Sequence, residues 1–265
     1  MTNIQKLANL VFMFLTATGV ASTLGNIHIT DPVLGNRALV YEKFNDFAIV
    51  EGDIIIGRIS EIQNPGAVFR PQIGGSPWRE GVVPFEISEE LPLLNKLAVL
   101  QAISHWQKYT ALKFIEINSK NRPDFRDYLT FVPAAGTICS SYVGRQGGRQ
   151  EVNLSPRCTN MNTVHEIGHA IGLWHEQSRA DRDNFIRIVW DNIDDEHRYN
   201  FDQHLTDGRD FGDYDYQSIM HYGAYAFSKN GKKTLVPIDE TIEIGQRNQL
   251  SEKDIAAVAA IYPGN

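Results

Sequence analysis

The stretch "VHEIGHAIGLWHEQ" (Val164–Gln177) constrains this chain more than any other. His165 and His169 stand four apart, so a helix through them places both imidazoles on one face, one turn above the other. Two rings so placed can share one metal ion. Glu166 is displaced around the same helix and can reach a water on that metal without binding the metal itself. A bare H-E-x-x-H arises by coincidence too readily to decide anything. Gly172 and His175, each three residues further on, change that. A continued helix would carry His175 to another face. Gly172 can take positive φ, end the helix and let the chain turn back, bringing His175 to the same ion. The polar side of the stretch is therefore read as a metal site and its apolar residues as the side facing a core.

Three neutral imidazoles leave a fourth position open, the arrangement of catalytic rather than structural zinc sites, with one Zn2+ per chain. Zinc lowers the pKa of bound water towards about 7. Glu166 would act as general base, accepting the water proton and passing it to the leaving amine. The pattern points to metal-assisted amide hydrolysis. Downstream, "SIMHY" (Ser218–Tyr222) fits the methionine turn that accompanies the extended motif. Met220 is expected as an apolar floor under the histidines, and Tyr222 as a phenol that touches the metal or bonds the oxyanion. No spacing makes His221 a ligand, and it is read as structural.

The rest of the chain bounds the class. Its 265 residues, 42% of them hydrophobic, allow one or two domains with a proper core. A net charge of −7 without a Lys/Arg run leaves no electrostatic footprint for nucleic acid. "MTNIQK" followed by "LANLVFMFLTATGVA", with small Gly19 and Ala21 at its end, has the layout of a secretory signal peptide over residues 1–21. The apolar run is too short and interrupted to span a membrane, so no membrane association is expected once it is removed. Secretion suits a disulfide between the two cysteines, Cys139 and Cys158. Closing a loop of about 20 residues, it would add roughly 3 kcal/mol. Residues 22–66 run into the Pro- and Gly-containing stretch Gln63–Gly75 and are too few to hold a core easily; they read as a pro-segment ahead of a catalytic domain at 67–265.

Within that domain, strands are expected at "GVVPFEIS" (Gly81–Ser88), "ALKFIEI", "DYLTFVP" and "QEVNLS" (Gln150–Ser155). "LLNKLAVLQAISHWQKYT" reads as an amphipathic helix with Leu93, Leu97, Leu100, Ile103 or Ser104, and Gln107 at three- and four-residue spacing and Leu94 and Trp106 beside them. A last helix starts at an N-cap, Ser251, carries Ile255, Val258 and Ile261 on one face, and stops at Pro263 and Gly264. Long loops fill the space between the motif helix and this one, so the class is α+β.

The segments "HEIGHAIGLWHEQSRADRDNF", "YDYQSIMHYG", "SSYVGRQGG" and "IGQR" resemble the astacin family of zinc endopeptidases, a branch of the metzincins, from Trp78 to near the C-terminus. The resemblance implies a two-lobed metzincin zinc-protease fold, with a twisted mixed sheet and the active-site helix in the upper lobe and a loop-rich lower lobe with a C-terminal helix. It implies zinc on His165, His169 and His175, with Tyr222 as a fifth, movable ligand. "QEVNLS" would be the sheet edge that pairs with an extended substrate. Arg247 in "IGQR" matches a position that favours an acidic residue just after the scissile bond. Glu176 would be a structural acid near which the new N-terminus buries itself after activation.

Latency follows from the same resemblance. The family's pro-segments carry Phe-x-Gly-Asp, whose aspartate binds the zinc; here Val50-Glu51-Gly52-Asp53 fits with Val50 in place of Phe, so Asp53 is the expected inhibitory ligand. The activating cut should fall between about Asn64 and Arg70. The family's second disulfide is absent: Ala111 stands at its first position and no cysteine lies near the C-terminus, which leaves the last helix without that staple. The expected partners are protein or peptide substrates and an activating protease, and the enzyme is expected to be a monomer. The alternative is a non-catalytic zinc-containing protein that holds peptides in the cleft. A processed, zinc-loaded protein that binds peptides without cutting them would reveal it.

Overall fold

A computed structural model describes residues 23–31, 35–63, 74–205 and 208–264. The expected signal peptide and the expected activation cut lie outside these residues. The described chain opens on an antiparallel meander of β1 (Thr23–Asp31), β2 (Gly35–Phe44), β3 (Phe47–Val50) and β4 (Ile54–Arg58), followed by one helical turn, α1 (Ile59–Ile62). These strands are not among those expected from the sequence. Side chains alternate across the sheet. Phe47, Ile49 and Ile55 pack on Tyr142, while Tyr41, Ala48, Val50, Ile54 and Ile56 pack on Val143 with Trp174 against them. A segment this small cannot bury both faces of a sheet by itself. Its core is completed by the residues that follow the linker.

Those residues build a five-stranded mixed sheet from β5 (Val82–Ile87), β6 (Lys113–Glu116), β7 (Tyr128–Pro133), β8 (Cys139–Ser140) and β9 (Arg149–Leu154). The order is β6-β5-β7-β9-β8, parallel throughout except for the antiparallel β8–β9 pair. "QEVNLS" is therefore not an edge, contrary to expectation: β9 has a neighbour on each side. The edge runs through β8 into Ser141, and the meander already pairs with it. The Ile55 N–H donates to the Ser141 carbonyl at 2.8 Å and the Ser141 N–H to the Asp53 carbonyl at 3.0 Å.

Helix α2 (Leu93–Tyr109) forms as expected but turns a different face inward. Asn95, Ala98, Val99, Ala102, Ile103 and Trp106 are buried, whereas Leu93 and Leu94 are 71% and 80% exposed. Trp106 decides this. Its ring is wholly buried and its indole N–H donates to the Val164 carbonyl of α3 (Asn160–Ala170) at 3.0 Å. The two alanines beside it let α2 and α3 approach closely. Asn95 is satisfied by the Ser155 carbonyl at 3.0 Å.

Helix α3 starts at a Thr159–Asn162 capping box and ends after Ala170; Gly172, at φ 111°, turns the chain as expected. Beyond it lies the second lobe of short 3-10 turns, the pair β10 (Ile186–Ile188) and β11 (Leu235–Pro237), and α4 (Glu252–Ile261) capped by Ser251. Cys139 and Cys158 are bonded, tying β8 to the entry of α3. The fold is the expected α+β, two-lobed zinc-protease architecture. Among the described residues no helix is long and apolar enough to cross a membrane.

Candidate active site

Each motif histidine uses one ring nitrogen to fix its orientation. Nδ1 of His165 faces the Ile219 carbonyl at 2.8 Å, Nδ1 of His169 the Leu173 carbonyl at 2.8 Å, and Nδ1 of His175 the Glu51 carboxylate at 2.8 Å. All three acceptors require Nδ1 to carry a proton, which in the neutral ring leaves the lone pair on Nε2. The three Nε2 atoms converge on one point, with those of His165 and His175 3.2 Å apart. Two nitrogens on one tetrahedral zinc stand roughly 3.4 Å apart for bonds of about 2.1 Å. Met220 lies under α3 as the expected floor: a Cβ on Gly168 would stand 2.6 Å from its sulfur. Only glycine between the two helix histidines admits this approach.

Asp53 completes the cluster. Its carboxylate oxygens lie 3.2 Å from Nε2 of His165, 3.2 Å from that of His175 and 3.5 Å from that of His169. The four ligand atoms fall within 4.8 Å of one another. Nε2 of His169 and Oδ1 of Asp53 are both buried without a hydrogen bond. Lone pairs facing a carboxylate in a dry site need a cation between them. The residues therefore fit a metal, and three imidazoles with one carboxylate are the ligand chemistry of zinc. The electrostatics agree. Burial alone would raise the Asp53 carboxyl, but the imidazoles, His175 foremost, hold it well below the usual range. Burial lowers the proton affinity of His175, yet Asp53 and Glu51 on either side raise it to about 9. A positive charge is wanted at this spot.

Glu166 is buried beside the cluster with Oε2 unpaired. Burial, and then the Asp53 charge, push its carboxyl well above the usual range against the pull of Arg247. Tyr222 is buried, and its hydroxyl donates to the Glu51 carbonyl at 2.5 Å. Arg247 is half-buried and donates to the His221 carbonyl at 3.0 Å; burial lowers its proton affinity while the nearby Asp53 and Glu166 raise it. Glu176 points away from the histidines, accepting from the Asp215 N–H at 2.7 Å with the Arg179 guanidinium 3.6 Å off. Burial pushes its carboxyl up to about 8. His221 bonds Tyr214 at 2.7 Å and the Tyr222 carbonyl at 2.8 Å, a structural residue as read.

Glu51 is a site residue not expected from the sequence. It sits at φ 49°, an uncommon conformation for a residue with a Cβ, and its carboxylate is buried. His175, the Ser178 hydroxyl (2.8 Å) and Nε2 of His204 all point at it. Burial raises its carboxyl, but His204 and His175 outweigh that and bring it to about 2. The available signal was a second acid, two places before Asp53, between apolar runs in "FAIVEGDIII".

The fold and the converging histidines place the chain in the class of metzincin zinc proteases. A model of the peptidase family Astacin matches residues 73–263. The chain belongs to the astacin family. It is 39% identical over 188 residues to zinc metalloproteinase nas-13 of Caenorhabditis elegans, covering 70% of this chain and 40% of that protein. With the astacin-like metalloendopeptidase of Mus musculus it shares 33% over 237 residues, covering 86% of this chain and 51% of the mouse protein. The chain thus spans about half or less of the length of these two relatives. The structure of high choriolytic enzyme 1, a hatching enzyme zinc-protease of the medaka Oryzias latipes, superposes with a TM-score of 0.63 at 32% identity, covering 75% of this chain and 98% of that one.

Proposed function

We propose that this chain is a secreted zinc-dependent endopeptidase that hydrolyses peptide bonds in proteins and is made as a latent zymogen. Residues 1–21 serve as signal peptide, 22–66 as pro-segment and 67–265 as catalytic domain. The observation that carries the reading is the Asp53 carboxylate lodged among His165, His169 and His175. Asp53 would serve as a fourth ligand in place of a water, and the Tyr222 hydroxyl is held by the Glu51 carbonyl.

His165, His169 and His175 would hold the zinc through Nε2. Bound there, zinc supplies a Lewis acid and an acidified water. The Ile219 and Leu173 carbonyls hold two of the rings in the ligating tautomer. Glu166, its Oε2 unpaired, takes the proton of the attacking water and delivers it to the departing amine. Tyr222 turns its hydroxyl from the Glu51 carbonyl to the oxyanion of the substrate. An extended substrate adds to the Ser140–Ser141 edge that Asp53–Ile55 now occupies. Arg247, whose charge acts on Glu166 and Asp53, favours an acidic residue just after the scissile bond. The partners are protein or peptide substrates and an activating protease that cuts between residues 64 and 70; the enzyme acts as a monomer.

The test uses the unprocessed and processed protein side by side. Processed protein should carry about one zinc per chain, cut peptides, and lose activity to a chelator and to Glu166→Ala by roughly 10²- to 10⁴-fold. Activity that survives Glu166→Ala sinks the mechanism. Unprocessed Asp53→Ala should be more active than the unprocessed parent; equal activity removes Asp53 from the switch.

A further inference from the structure

The contacts that hold the pro-segment in the cleft do not depend on the linker. Asp53 and Ile55 bond the Ser141 backbone, and the Glu51 carbonyl accepts from Tyr222. At one flank Glu42 meets Nε2 of His197 at 2.8 Å, and at the other Arg58 meets Glu151 at 3.2 Å. Tyr142, Val143 and Trp174 are covered by the apolar faces of the meander. The Glu51 carboxylate is 5% exposed, and its bonds from His175, Ser178 and His204 all come from beyond the linker. A buried acid met by three donors is an anchor of the kind that dominates an interface. Cutting between residues 64 and 70 removes none of this. It only converts an intramolecular contact, with the high effective concentration that tethering gives, into a bimolecular one.

We infer that the activating cut does not by itself open the enzyme: the severed pro-segment stays in the cleft as a separate, non-covalent inhibitor, gripped chiefly through Glu51. The partner surface on the catalytic domain is thus an acid-accepting cradle (His175, Ser178, His204) beside the strand edge at Ser141. This rests on the latency proposed above. It adds that activation has two steps, cutting and release, and that a free pro-segment re-inhibits processed enzyme.

The experiment places a site for a sequence-specific protease within residues 64–70 of the full chain and cuts it to completion. Fragment association is read by size-exclusion chromatography and native mass spectrometry, and activity on a quenched peptide over a dilution series. At micromolar protein the two pieces should co-elute, with activity below about a tenth of that reached at high dilution. Glu51→Gln should move the midpoint of the dilution curve upward in concentration by roughly 10- to 100-fold, the loss expected for hydrogen bonds to a buried charge. Arg58→Ala, at the flank, should move it by only a few-fold. All these changes lie in the pro-segment, so the enzyme released at high dilution is chemically identical in every case. Should Glu51→Gln fail to fold, Glu42→Gln takes its place with a smaller shift. Pieces that separate at micromolar concentration, with activity rising in step with cutting, overturn the inference while leaving latency intact. An unchanged midpoint for Glu51→Gln overturns the assignment of the grip. An uncut chain that is already fully active overturns latency itself.

Discussion

Tyr262→Phe tests how the last helix is held without the family's second disulfide. The phenol of Tyr262 is 7% exposed. It donates to the Ile171 carbonyl at 2.8 Å, just past the end of α3, and accepts from the Trp78 N–H at 3.3 Å. Burial pushes the phenol up to about 12, so it remains a neutral donor at any working pH. Trp78 in turn donates its indole N–H to the Ala170 carbonyl at 2.8 Å. One hydroxyl therefore joins three segments around the end of the metal helix. Phenylalanine keeps the ring and its apolar contacts but leaves a buried carbonyl and a buried N–H unpaired. That costs about 1–3 kcal/mol, which for a domain of this size lowers the melting temperature by roughly 2–4 °C per kcal/mol. The assay is a thermal melt of the unprocessed protein in a Glu166→Ala background, chosen to remove the proposed self-digestion. A melting temperature unchanged within about 1 °C would mean that the packing of Val258 and its neighbours alone holds α4, and the clasp reasoning fails.

Tyr222→Phe in processed enzyme should lower kcat by roughly 10²- to 10³-fold with little change in KM, as the proposed action of the phenol on the oxyanion requires; raised KM with intact kcat would refute that role. Asp127 accepts from the Gly148 N–H at 2.8 Å and pairs with Arg145, and these together hold its carboxyl below the usual range against the effect of burial. A depressed folded pKa stabilises above the unfolded value, about 3.9, and the gain is lost as pH falls through the folded value. The stability gap between parent and Asp127→Asn, read from urea midpoints, should be full at pH 7 and shrink below about pH 4; an equal gap at both contradicts the reasoning. Replacing Cys139 and Cys158 together by serine should cost roughly 3 kcal/mol in the same assay, and a loss under about 1 kcal/mol would mean that the edge strand and the α3 entry are held by other contacts.

What was legible in the sequence was what chemistry writes locally. Three histidines at fixed spacing and a glycine that breaks the helix each act within a turn or two, so spacing alone carries them to their positions, whereas Met220 was legible only through its resemblance to a known turn. Gly172 at φ 111° and Ser251 at the start of α4 follow from backbone rules that hold in any fold. The failures were all questions of which neighbour arrives. The leucines of α2 make a regular stripe, yet a stripe only proposes a face. Trp106 carries more area and a hydrogen-bonding end, and the Val164 carbonyl was there to receive it. "QEVNLS" has the composition of any half-buried strand, and nothing in it announces that the two residues of β8 will take its outer side. Non-local pairing is invisible to periodicity.

Glu51 shows the same limit at the site itself. Read along the chain it is the variable position of a four-residue signature, and attention goes to the aspartate two places on. Read in the fold, its burial makes sense only because His175, Ser178 and His204, more than 120 residues away, arrive around it. Yet the difficulty of the position was written in the sequence. An acid flanked by Val50 and Gly52, in the turn that joins the apolar runs Phe47–Val50 and Ile54–Ile56, is buried without a local partner for its carboxylate. Such a residue must either disrupt the strands or meet donors from elsewhere. In a segment too small to supply those donors, they can come only from the domain it covers. An acid without local partners in an apolar segment is therefore a sequence-level pointer to the surface that the segment covers.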